Sequence, residues 1–437
     1  MKTKLTHSDA WTKAQPKVLV ATTSSWVPTA RLAIALANAG CEVEVVCPAG
    51  HPVGKANASL HTHTYHGLAP LRSFRKAIVA ANPDLIVPGD DLATRHLHDL
   101  YSQERQNNAG AAICKLIERS LGAPESFPVM FARNAFMQAA GQQDIRVPKT
   151  TVVENVDDLT KVSAHLGCPL VLKADGTSGG IGVRVVHSLK EAEHALRTLQ
   201  APPVLARAAK RALVDHDTTL LWPALLRRRF VVNAQAFVQG REATSAIFCW
   251  KGSVLAALHF EVLEKMHAAG HAAVLRLIDH WEMSVAVEKM ARRFNLSGFY
   301  GFDFILEAHT DNAYLIEVNP RTTQVGHLAL GAGHDLPAAL YAAVSGDGVP
   351  ASQKITGAET IALFPQEWIR DPGSQFLQSA YHDVPWDQPA LVSDCVRRGQ
   401  VQREWYAKRN LPAVRPSSLP INVRTEHAAV EVDCEAK

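Results

Sequence analysis

The sequence contains no apolar stretch long enough to cross a membrane and no cysteine pattern of a disulfide framework or zinc site. A spanning helix needs ~18 or more consecutive apolar residues, and no such run occurs among the 437 residues. The polar N-terminal segment, residues 1–15, lacks the apolar core of a secretory signal. The 7 cysteines lie between Cys41 and Cys434 without a CxxC pair, which favours reduced thiols. We therefore expect a cytoplasmic protein without a membrane partner.

The chain also has little net charge and no metalloprotease motif. Its formal charge is +3, and no stripe of Lys and Arg with interleaved aromatic residues is present, so we expect no nucleic-acid partner. The 20 histidines include no HExxH motif, which argues against a catalytic zinc site. Hydrophobic residues make up 47% and charged residues 20% of the chain, as in ordinary globular proteins. These values favour chemistry on small molecules.

The first 125 residues have the pattern of a small doubly wound α/β domain. KVLVATTS predicts a buried strand, the following segment predicts a helix ending at Gly40, and CEVEVVC predicts a second strand. Residues 85–88 predict another strand, with Asp90 and Asp91 at its carboxyl end, where ligands usually bind. The loop TTSSW is not a glycine fingerprint. We therefore expect this domain to be a scaffold and a substrate-side wall.

Three segments contain residues suited to ligand binding or catalysis. The first is PLVLKADGTSGGIGVRVVHS, residues 169–188. Strand-like runs lie on both sides of the glycines, so this loop is expected to join a hairpin, whereas a P-loop or a dinucleotide fingerprint opens a helix. Such a loop can place backbone N–H groups against phosphate oxygens, and Lys173 would add a positive charge. A plain hairpin with a surface lysine is the alternative.

The second segment is FVVNAQAFVQGREATSAIFCW, residues 230–250. It predicts a strand, a short turn through Gln239 and Gly240, and a second strand. Glu242 follows the turn, and its carboxylate can accept hydrogen bonds from two ribose hydroxyls. The extended stretch before the turn offers backbone groups to an adenine edge. An ordinary hairpin is the alternative.

The third segment, GFDFILEAHTDNAYLIEVN, predicts two antiparallel strands joined by a turn. Side chains alternate along a strand, so Asp303 is expected to share a face with Ile305. On the partner strand, the same rule places Leu315, Glu317 and Asn319 on one face. Acids among apolar strand residues need a compensating cation. Two carboxylates and an amide oxygen suit Mg²⁺, which typically binds one or two carboxylates plus nucleotide phosphates.

The continuation of this segment places Arg321 two residues past Asn319. An arginine at this point can contact a phosphoryl group during its transfer. A solvated strand face with incidental acids is the alternative for the whole hairpin.

In the order phosphate loop, adenine and ribose strand, metal hairpin, these segments resemble the ATP-grasp superfamily over about residues 128–330. The resemblance implies an α/β fold class with an N-terminal Rossmann-like pre-ATP-grasp domain over residues 1–125. A two-lobed ATP-grasp domain clasping ATP would follow over residues 126–346. We expect a small mixed C-terminal lobe and a mobile tail over residues 347–437.

The resemblance also implies roles for individual residues. Asp303, Glu317 and Asn319 correspond to the metal ligands, and Arg321 corresponds to the arginine that contacts the transferred phosphate. Arg133 stands where the family usually has a lysine, and the adenine hinge usually begins Glu-Lys, whereas this chain has Gln-Ala. The residues implied to bind the nucleotide are Arg133, Lys173, Ser178, Gly179, Gly180, Gln235, Phe237, Val238 and Glu242.

The activity implied by the resemblance is a carboxylate–amine ligation that uses ATP and two Mg²⁺ ions. A carboxylate oxygen attacks the γ-phosphate, and an amine then displaces phosphate from the acyl phosphate. We expect small-molecule carboxylate and amine substrates, with Arg276 as the ligand of the substrate carboxylate and His267 as a second candidate. The oligomeric state, including a homodimer, stays open.

Two alternatives to this activity remain. The first is a biotin-carboxylase-like enzyme, suggested by TQVGH after the metal hairpin. That subfamily typically has a glutamate base where this chain has Gly326. The second is a catalytically silent ATP-binding module, which would be expected to have lost metal ligands.

Overall fold

The computed structural model arranges the chain in three β-sheets with helices packed on them. No helix in the part of the chain that the structure describes combines the length and apolarity of a membrane span. The described residues are 15–57, 60–106, 110–176, 182–201, 205, 209, 224–226, 229–267, 270–348 and 354–407.

A four-stranded parallel sheet forms the N-terminal part. Three of its strands contain most of its buried apolar residues and have helices on both faces, as parallel sheets require, whereas the edge strand His61–Thr64 is polar and largely exposed. The predicted strand–helix–strand start is therefore confirmed. The strands are β1 (Lys17–Ala21), β2 (Glu42–Cys47), β3 (His61–Thr64) and β4 (Leu85–Pro88), in the order β3-β2-β1-β4, and the helices are α1 (Val27–Asn38), α2 (Pro70–Ala81), α3 (Asp91–Arg105) and α4 (Ala111–Leu121).

A second four-stranded sheet, called the small sheet below, is antiparallel and has a core of its own. Two amphipathic helices cover one of its faces through buried residues such as Leu159 and Leu196. Asn155 and Ser188 cap these two helices through side chains that accept backbone N–H groups. The elements of this region are α5 (Phe127–Met130), α6 (Arg133–Gly141), β5 (Thr150–Val153), α7 (Val156–Leu166), β6 (Leu170–Ala174), β7 (Val183–Val186), α8 (Leu189–Gln200) and β8 (Val232–Ala236), with the strand order β5-β8-β6-β7.

The third sheet has seven strands, which are antiparallel except for the last pair. It includes both strands of the metal hairpin and two strands from the C-terminal part of the chain. Its elements are β9 (Gly240–Trp250), β10 (Ser253–Lys265), β11 (Ala272–Leu277), α9 (Trp281–Arg293), β12 (Gly298–Glu307), β13 (Ala313–Asn319), α10 (Leu336–Ser345), β14 (Thr360–Leu363), α11 (Gln366–Arg370), α12 (Phe376–Ser379), β15 (Tyr381–Asp383) and α13 (Pro389–Ala407), in the strand order β13-β12-β9-β10-β11-β14-β15.

Both faces of the seven-stranded sheet are buried. One face packs against α6 and α9 through residues such as Phe136, Met290 and Phe302. The other face shares a core with the N-terminal sheet and α1, where Leu32 and Phe260 belong to one cluster. Because this core is continuous, the N-terminal sheet is held at a fixed position relative to the metal hairpin.

The structure distinguishes the two interpretations of residues 230–250. Both predicted strands exist, but β8 pairs in the small sheet and β9 in the large one, so the ordinary hairpin is excluded. The connection through Gln239 is therefore a crossing between two lobes. In the C-terminal part, β14 pairs with β11 and extends the large sheet. The proposed domain boundaries near residues 125 and 346 stay predictions.

Candidate active site

A cavity of about 530 Å³ lies between the small sheet and the seven-stranded sheet. Its volume is in the range of ordinary small-molecule sites, which is ~300–1,000 Å³. Lys173 and Val185 line it from the small sheet, and Glu242 and Asp303 line it from the large sheet. Trp26, in the loop after β1, closes one side. All three sheets of the fold therefore contribute to one site.

The predicted metal ligands lie together at the base of this cavity. Asp303 and Glu317 are direct partners across β12 and β13. The Asp303 carboxylate accepts hydrogen bonds from Thr244 Oγ1 at 2.8 Å and from Asn319 Nδ2 at 2.9 Å. The amide orientation leaves the Asn319 oxygen directed toward Arg321, whose Nη2 lies 3.3 Å away. The hairpin thus brings the Asp303, Glu317 and Asn319 side chains together, with the Asn319 amide nitrogen on the Asp303 side.

The electrostatics of this acid pair fit a divalent cation. Burial and, after it, the neighbouring Glu317 carboxylate raise the pKa of Asp303 from 3.8 to about 6. A second carboxylate this close to a buried one is costly without a compensating charge. Mg²⁺ takes oxygen ligands of these types. Asp303, Glu317 and Asn319 are accordingly a chemically suitable set for Mg²⁺.

A β-bulge in β13 corrects one detail of the predicted hairpin. The register changes from the pair Asp303–Glu317 to the pair Phe304–Leu315, so Ile316 is the extra residue. Leu315 is buried in the core beneath the sheet, whereas Ile316 and Glu317 line the cavity. Leu315 therefore does not share a face with Glu317. The prediction from strict alternation was wrong for Leu315, because alternation assumes a strand without an inserted residue.

Arg133, at the first position of α6, contacts two acids of the site. Its Nη2 lies 2.9 Å from Glu317 Oε1, and its Nε lies 3.6 Å from Asp175 Oδ1. Asp175 follows β6 directly and also accepts a hydrogen bond from Asn233 Nδ2 at 2.9 Å. The guanidinium thus links the phosphate-loop strand of the small sheet to the metal hairpin of the large sheet. A cation is present where the family usually has a lysine.

Lys173 lies near the end of β6 with a buried side chain. Its ammonium group makes no hydrogen bond or ion pair with the residues that the structure describes. Burial lowers its pKa to about 8, and the carboxylates of Glu317, Asp303 and Glu242 oppose that shift. A buried lysine that faces a polar cavity is suited to an anionic ligand.

Arg321 is held by contacts with both the hairpin and the N-terminal domain. Its Nε lies 3.2 Å from Asp91 Oδ1, and its guanidinium carbon lies 5.5 Å from the centre of the Trp26 ring. Asp90 is committed elsewhere, because its carboxylate accepts hydrogen bonds from Thr22 and Thr23. The carboxyl end of β4 therefore supplies one structural acid and one acid of the site.

The residues expected at the nucleotide base and ribose also line the cavity. Gln235 is buried and donates from Nε2 to Thr150 Oγ1 at 3.0 Å, so its side chain is already engaged. Phe237 is 41% exposed and lies at the cavity wall beside Val238. Glu242 accepts from Lys265 Nζ at 2.6 Å. The loop residues Ser178, Gly179 and Gly180 lie outside the described residues.

The two substrate-binding candidates do not lie among the residues that line the described cavity. Arg276 donates to Glu261 Oε2 at 2.6 Å on the face of the sheet away from the cavity, whereas its neighbour Leu275 faces it. The expectation that Arg276 binds the substrate carboxylate stays a prediction, and the pairing with Glu261 argues against it. His267 is exposed beside Gly270, which does line the cavity.

A smaller cavity of about 80 Å³ adjoins the first one and shares Glu317 and Asn319 with it. Arg95 of α3 and Arg133 line it from opposite sides. The Arg95 guanidinium carbon lies 3.8 Å from the centre of the Phe131 ring, and no described residue accepts a hydrogen bond from it. Burial lowers the pKa of Arg95. Arg95 is therefore a basic residue of α3 that lines the same cavity as Glu317 and Asn319 and that the sequence analysis gave no role.

Sequence reasoning placed Asp91 at the carboxyl end of β4 but missed three other residues of the site, although signals for them exist. Trp26 follows the carboxyl end of β1, where open α/β sheets also bind ligands. Arg95 lies one helical turn after Asp91. Thr244 shares a strand face with Glu242, two residues earlier. That these residues lie close together became clear only from the pairing of distant strands and the packing of the helices on them.

Two family models match the part of the chain that contains most of this site. A family model of the ATP-grasp domain matches residues 223–325, and a model of the carbamoyl-phosphate synthase L chain, ATP binding domain, matches residues 132–218. Together these matches contain the phosphate-loop strand, the crossing between lobes and the metal hairpin. Over these two stretches the chain is similar to ATP-grasp proteins.

Among individual proteins, the chain is similar to two kinds of larger enzyme. It is 23% identical over 207 residues to the carbamoyl phosphate synthase large chain of Kocuria rhizophila, covering 46% of this chain and 17% of that one. It is 25% identical over 327 residues to the methylcrotonoyl-CoA carboxylase subunit alpha of Rattus norvegicus, covering 70% and 42%. The chain thus spans less than half the length of these relatives.

Solved structures with the same fold include two carboxylating enzymes. Biotin carboxylase of Campylobacter jejuni superposes with a TM-score of 0.55 at 15% identity, covering 80% of this chain and 75% of that one. The N5-carboxyaminoimidazole synthase of Aspergillus clavatus gives 0.54 at 16% identity, covering 77% and 78%. At these identities the similarity establishes the fold.

Proposed function

We propose that this chain is an ATP-dependent ligase that activates a carboxylate as an acyl phosphate and joins it to an amine, with release of ADP and phosphate. The observation that carries the proposal is the convergence of three cations on one acid pair. Lys173, Arg133 and Arg321 come from three different parts of the fold and surround Asp303 and Glu317. Such a charge arrangement suits phosphoryl transfer.

ATP is the proposed occupant of the larger cavity. Backbone groups beside Phe237 and Val238 would contact adenine, Glu242 would accept from the ribose hydroxyls, and Lys173 would contact the phosphates. The C. jejuni biotin carboxylase was solved as a β-γ-ATP complex and the A. clavatus synthase in complex with ADP, which supports this placement. Glu242 would have to exchange its Lys265 contact for the ribose.

Mg²⁺ is the proposed metal, with two ions at the hairpin. Asp303, Glu317 and Asn319 would hold it, because the two carboxylates are paired across the hairpin and Asn319 lies beside Asp303. The Asn319 amide would turn to present its oxygen to the metal. When bound, the metal neutralises charge on the phosphate oxygens. A 2-oxoglutarate carboxylase domain of the same fold was solved with MgADP, which is consistent with this metal.

The substrate acid is proposed to enter the smaller cavity. Arg95 lies there, next to Glu317 and Asn319, and its guanidinium has no described hydrogen-bond acceptor. An arginine can hold a carboxylate through two parallel N–H donors. This position would place the acid on the far side of the metal hairpin from the adenine subsite. That the substrates are a small-molecule carboxylate and a small-molecule amine remains a prediction. The oligomeric state, including a homodimer, stays open.

The proposed reaction balances in two displacements. An oxygen of the substrate carboxylate forms a bond to the γ-phosphorus, and the bond to the β-phosphate oxygen breaks to release ADP. The amine then bonds to the acyl carbon, loses a proton, and inorganic phosphate leaves. Arg321, fixed by Asp91 and Trp26, is positioned to stabilise charge on the group in transfer.

A carboxylating enzyme that uses bicarbonate as the acid is the second candidate. It is favoured by the fold neighbours, one of which was solved with MgADP and bicarbonate. Against a biotin-carboxylase-like mechanism, Gly326 stands where a glutamate base is expected. A β-carbon there would collide with the buried Thr322 hydroxyl. A silent module is disfavoured, because the metal ligands and the basic residues are all present.

The oxygen balance of the reaction is the direct test of the proposed function. Once an acid that supports ADP release is found in a screen of acids and amines, ¹⁸O-labelled carboxylate should transfer one label to inorganic phosphate during ligation. Mass spectrometry of the phosphate and chromatography of the nucleotide provide the two measurements. AMP as the product, or unlabelled phosphate, would overturn the acyl-phosphate mechanism. Strict dependence on bicarbonate would favour the second candidate.

Lys173→Ala is expected to raise the KM for ATP about 10-fold or more, since a hydrogen bond between charged groups is worth ~1.5–3 kcal/mol, and to slow turnover as well. In the wild type, ATP affinity should fall as the pH rises through about 8, where Lys173 loses its proton. The variant should lack this pH step. Steady-state kinetics and ATP titrations at several pH values measure both effects.

Lys190→Ala is the matched control, because Lys190 is an exposed lysine of the same lobe. It should leave the KM and the pH step unchanged. Unaltered ATP kinetics in Lys173→Ala would mean that Lys173 serves only the packing of the hairpin.

A further inference from the structure

A group of three potential metal ligands lies at the edge of the N-terminal sheet, apart from the proposed ligase site. His61 Nδ1 and His63 Nε2 lie 2.9 and 2.6 Å from the same oxygen, Glu44 Oε2. One ligand atom from each of the three residues lies within 4.8 Å of the other two. None of them lines the cavities described above. Within the described residues, this is the one cluster of His, Cys, Asp and Glu with such spacing.

The parallel pairing of β2 and β3 creates this arrangement. Glu44 pairs with His61, and Val46 pairs with His63. Residues two apart on a strand point to the same face, so the motif His-Thr-His presents both imidazoles beside the Glu44 carboxylate. The strand β3 is the edge of its sheet. The ligand set is thus built by backbone pairing and does not depend on flexible loops.

The environment holds these side chains but leaves them accessible. The side chains of Glu44 and His63 are 18% and 16% exposed, whereas His61 is 69% exposed. Lys17, which interacts electrostatically with Glu44, is paired with Glu42 at 2.9 Å. The Glu44 carboxylate is therefore engaged by the two imidazoles.

Two imidazoles and one carboxylate select a different class of metal from the hairpin of the ligase site. Imidazole nitrogen suits Zn²⁺ and neighbouring transition ions, whereas Mg²⁺ prefers oxygen ligands. Zn²⁺ sites with three protein ligands keep a further position for water or another ligand. We propose that Glu44, His61 and His63 form a Zn²⁺-binding site on the edge of the N-terminal sheet. This site is independent of the ligase reaction proposed above.

The competing explanation is a hydrogen-bonded cluster that only protects the sheet edge, since polar and charged side chains commonly guard edge strands. The two explanations differ in metal affinity. The full chain is stripped with a chelator and kept in excess Mg²⁺ so that the hairpin acids are saturated. Cys168, an exposed thiol, is replaced by Ser in every protein compared, because a thiolate also binds zinc. Zn²⁺ is then titrated by calorimetry, with competition against a chromophoric chelator.

The proposal predicts one Zn²⁺ per chain, with affinity lowered at least ~100-fold by His61→Ala with His63→Ala, since losing an outer partner alone typically costs ~10–100-fold. Glu44→Gln should weaken Zn²⁺ clearly, although Gln still accepts a hydrogen bond. The control is His165→Ala with His194→Ala, which removes two exposed histidines elsewhere and should leave the affinity unchanged.

Spectroscopy adds a readout that does not depend on enzyme activity. Co²⁺ in place of Zn²⁺ should give visible absorption bands of a low-coordinate site in the wild type and not in the His61 and His63 double variant. The proposal is overturned if the double variant binds Zn²⁺ as tightly as the wild type. It is also overturned if the wild type shows no saturable site in excess Mg²⁺.

Discussion

Replacing Glu317 with Gln is expected to lower turnover by at least ~100-fold, equivalent to about 2.7 kcal/mol of transition-state stabilisation. The substitution keeps the size of the side chain and its place beside Arg133. It removes one of the two negative charges on the metal hairpin. The fold should persist, because Glu317 faces the cavity and is not part of the core. Chemistry should therefore be lost to a greater extent than nucleotide binding.

Asp311→Asn is the matched control for this experiment. Asp311 lies in the turn of the same hairpin, is 59% exposed and has a positive φ of 59°, which Asn tolerates well. Its replacement removes one carboxylate from the hairpin without touching the cavity. Turnover of this variant should stay close to that of the wild type. Substrate-dependent ADP release gives the rates, and ATP titration gives the nucleotide affinity.

Near-normal turnover in Glu317→Gln would refute the metal assignment. A loss of ATP affinity with unchanged turnover would indicate that Glu317 contributes equally to binding the ground state and the transition state. The pKa of Asp303 offers a second readout in the metal-free protein. Because Glu317 contributes to raising that pKa, the variant should titrate Asp303 closer to its ordinary value.

The elements that the sequence predicted well are local ones. The β6–β7 hairpin and the β12–β13 hairpin arise from short runs of β-branched and aromatic residues around turn residues. Asp303, Glu317 and Asn319 were found because two adjacent strands are joined by a short turn. Their contacts need only that pairing, which alternation and turn chemistry determine.

The features that the sequence did not reveal depend on distant segments. Whether β8 and β9 pair with each other or join different sheets depends on strands far along the chain, such as β12. Arg276 was chosen for its chemistry, but its direction depends on its pairing with Glu261 across β10 and β11. The Arg276 guanidinium donates to the Glu261 carboxylate on the neighbouring strand, a partner that the local sequence pattern did not reveal.

The Glu44, His61 and His63 cluster is an intermediate case. The spacing His-Thr-His is visible in the sequence, but residues 61–64 lack the apolar residues that signal a strand. A search for HExxH or CxxC motifs also does not find this cluster, because all residues of those motifs lie in one short segment, whereas Glu44 is distant in sequence from His61 and His63. The cluster arises from two strands that pair in parallel.

Replacing Asp383 with Asn is expected to destabilise the protein by about 3–5 kcal/mol, the usual cost of removing one partner from a buried ion pair. The Asp383 carboxylate is buried and accepts hydrogen bonds from both terminal nitrogens of Arg31, one of them at 2.7 Å, and from His327 Nε2 at 3.0 Å. Arg31 lies on α1, His327 lies in the segment after the metal hairpin, and Asp383 lies at the end of β15. The substitution would leave the Arg31 charge buried without its carboxylate.

The pH dependence gives this prediction a sign. Burial would raise the pKa of Asp383, but Arg31 and then His327 outweigh it and lower the pKa from 3.8 to about 2. A carboxylate with a lowered pKa in the folded state stabilises the fold at any pH above its ordinary value. That contribution is lost as the pH falls from about 4 to about 2. The stability difference between the wild type and Asp383→Asn should therefore shrink over this interval.

Urea unfolding followed by tryptophan fluorescence measures the effect, provided that refolding is shown to be reversible. Asp387→Asn, an exposed acid four residues later, should change the free energy of unfolding by less than ~0.5 kcal/mol. The double variant Arg31→Met with Asp383→Asn should lose less than the sum of the two single variants, because no buried charge is then left alone. If Asp383→Asn unfolds with the wild-type midpoint, this ion pair does not join the N-terminal sheet, the hairpin segment and β15 into one stable unit.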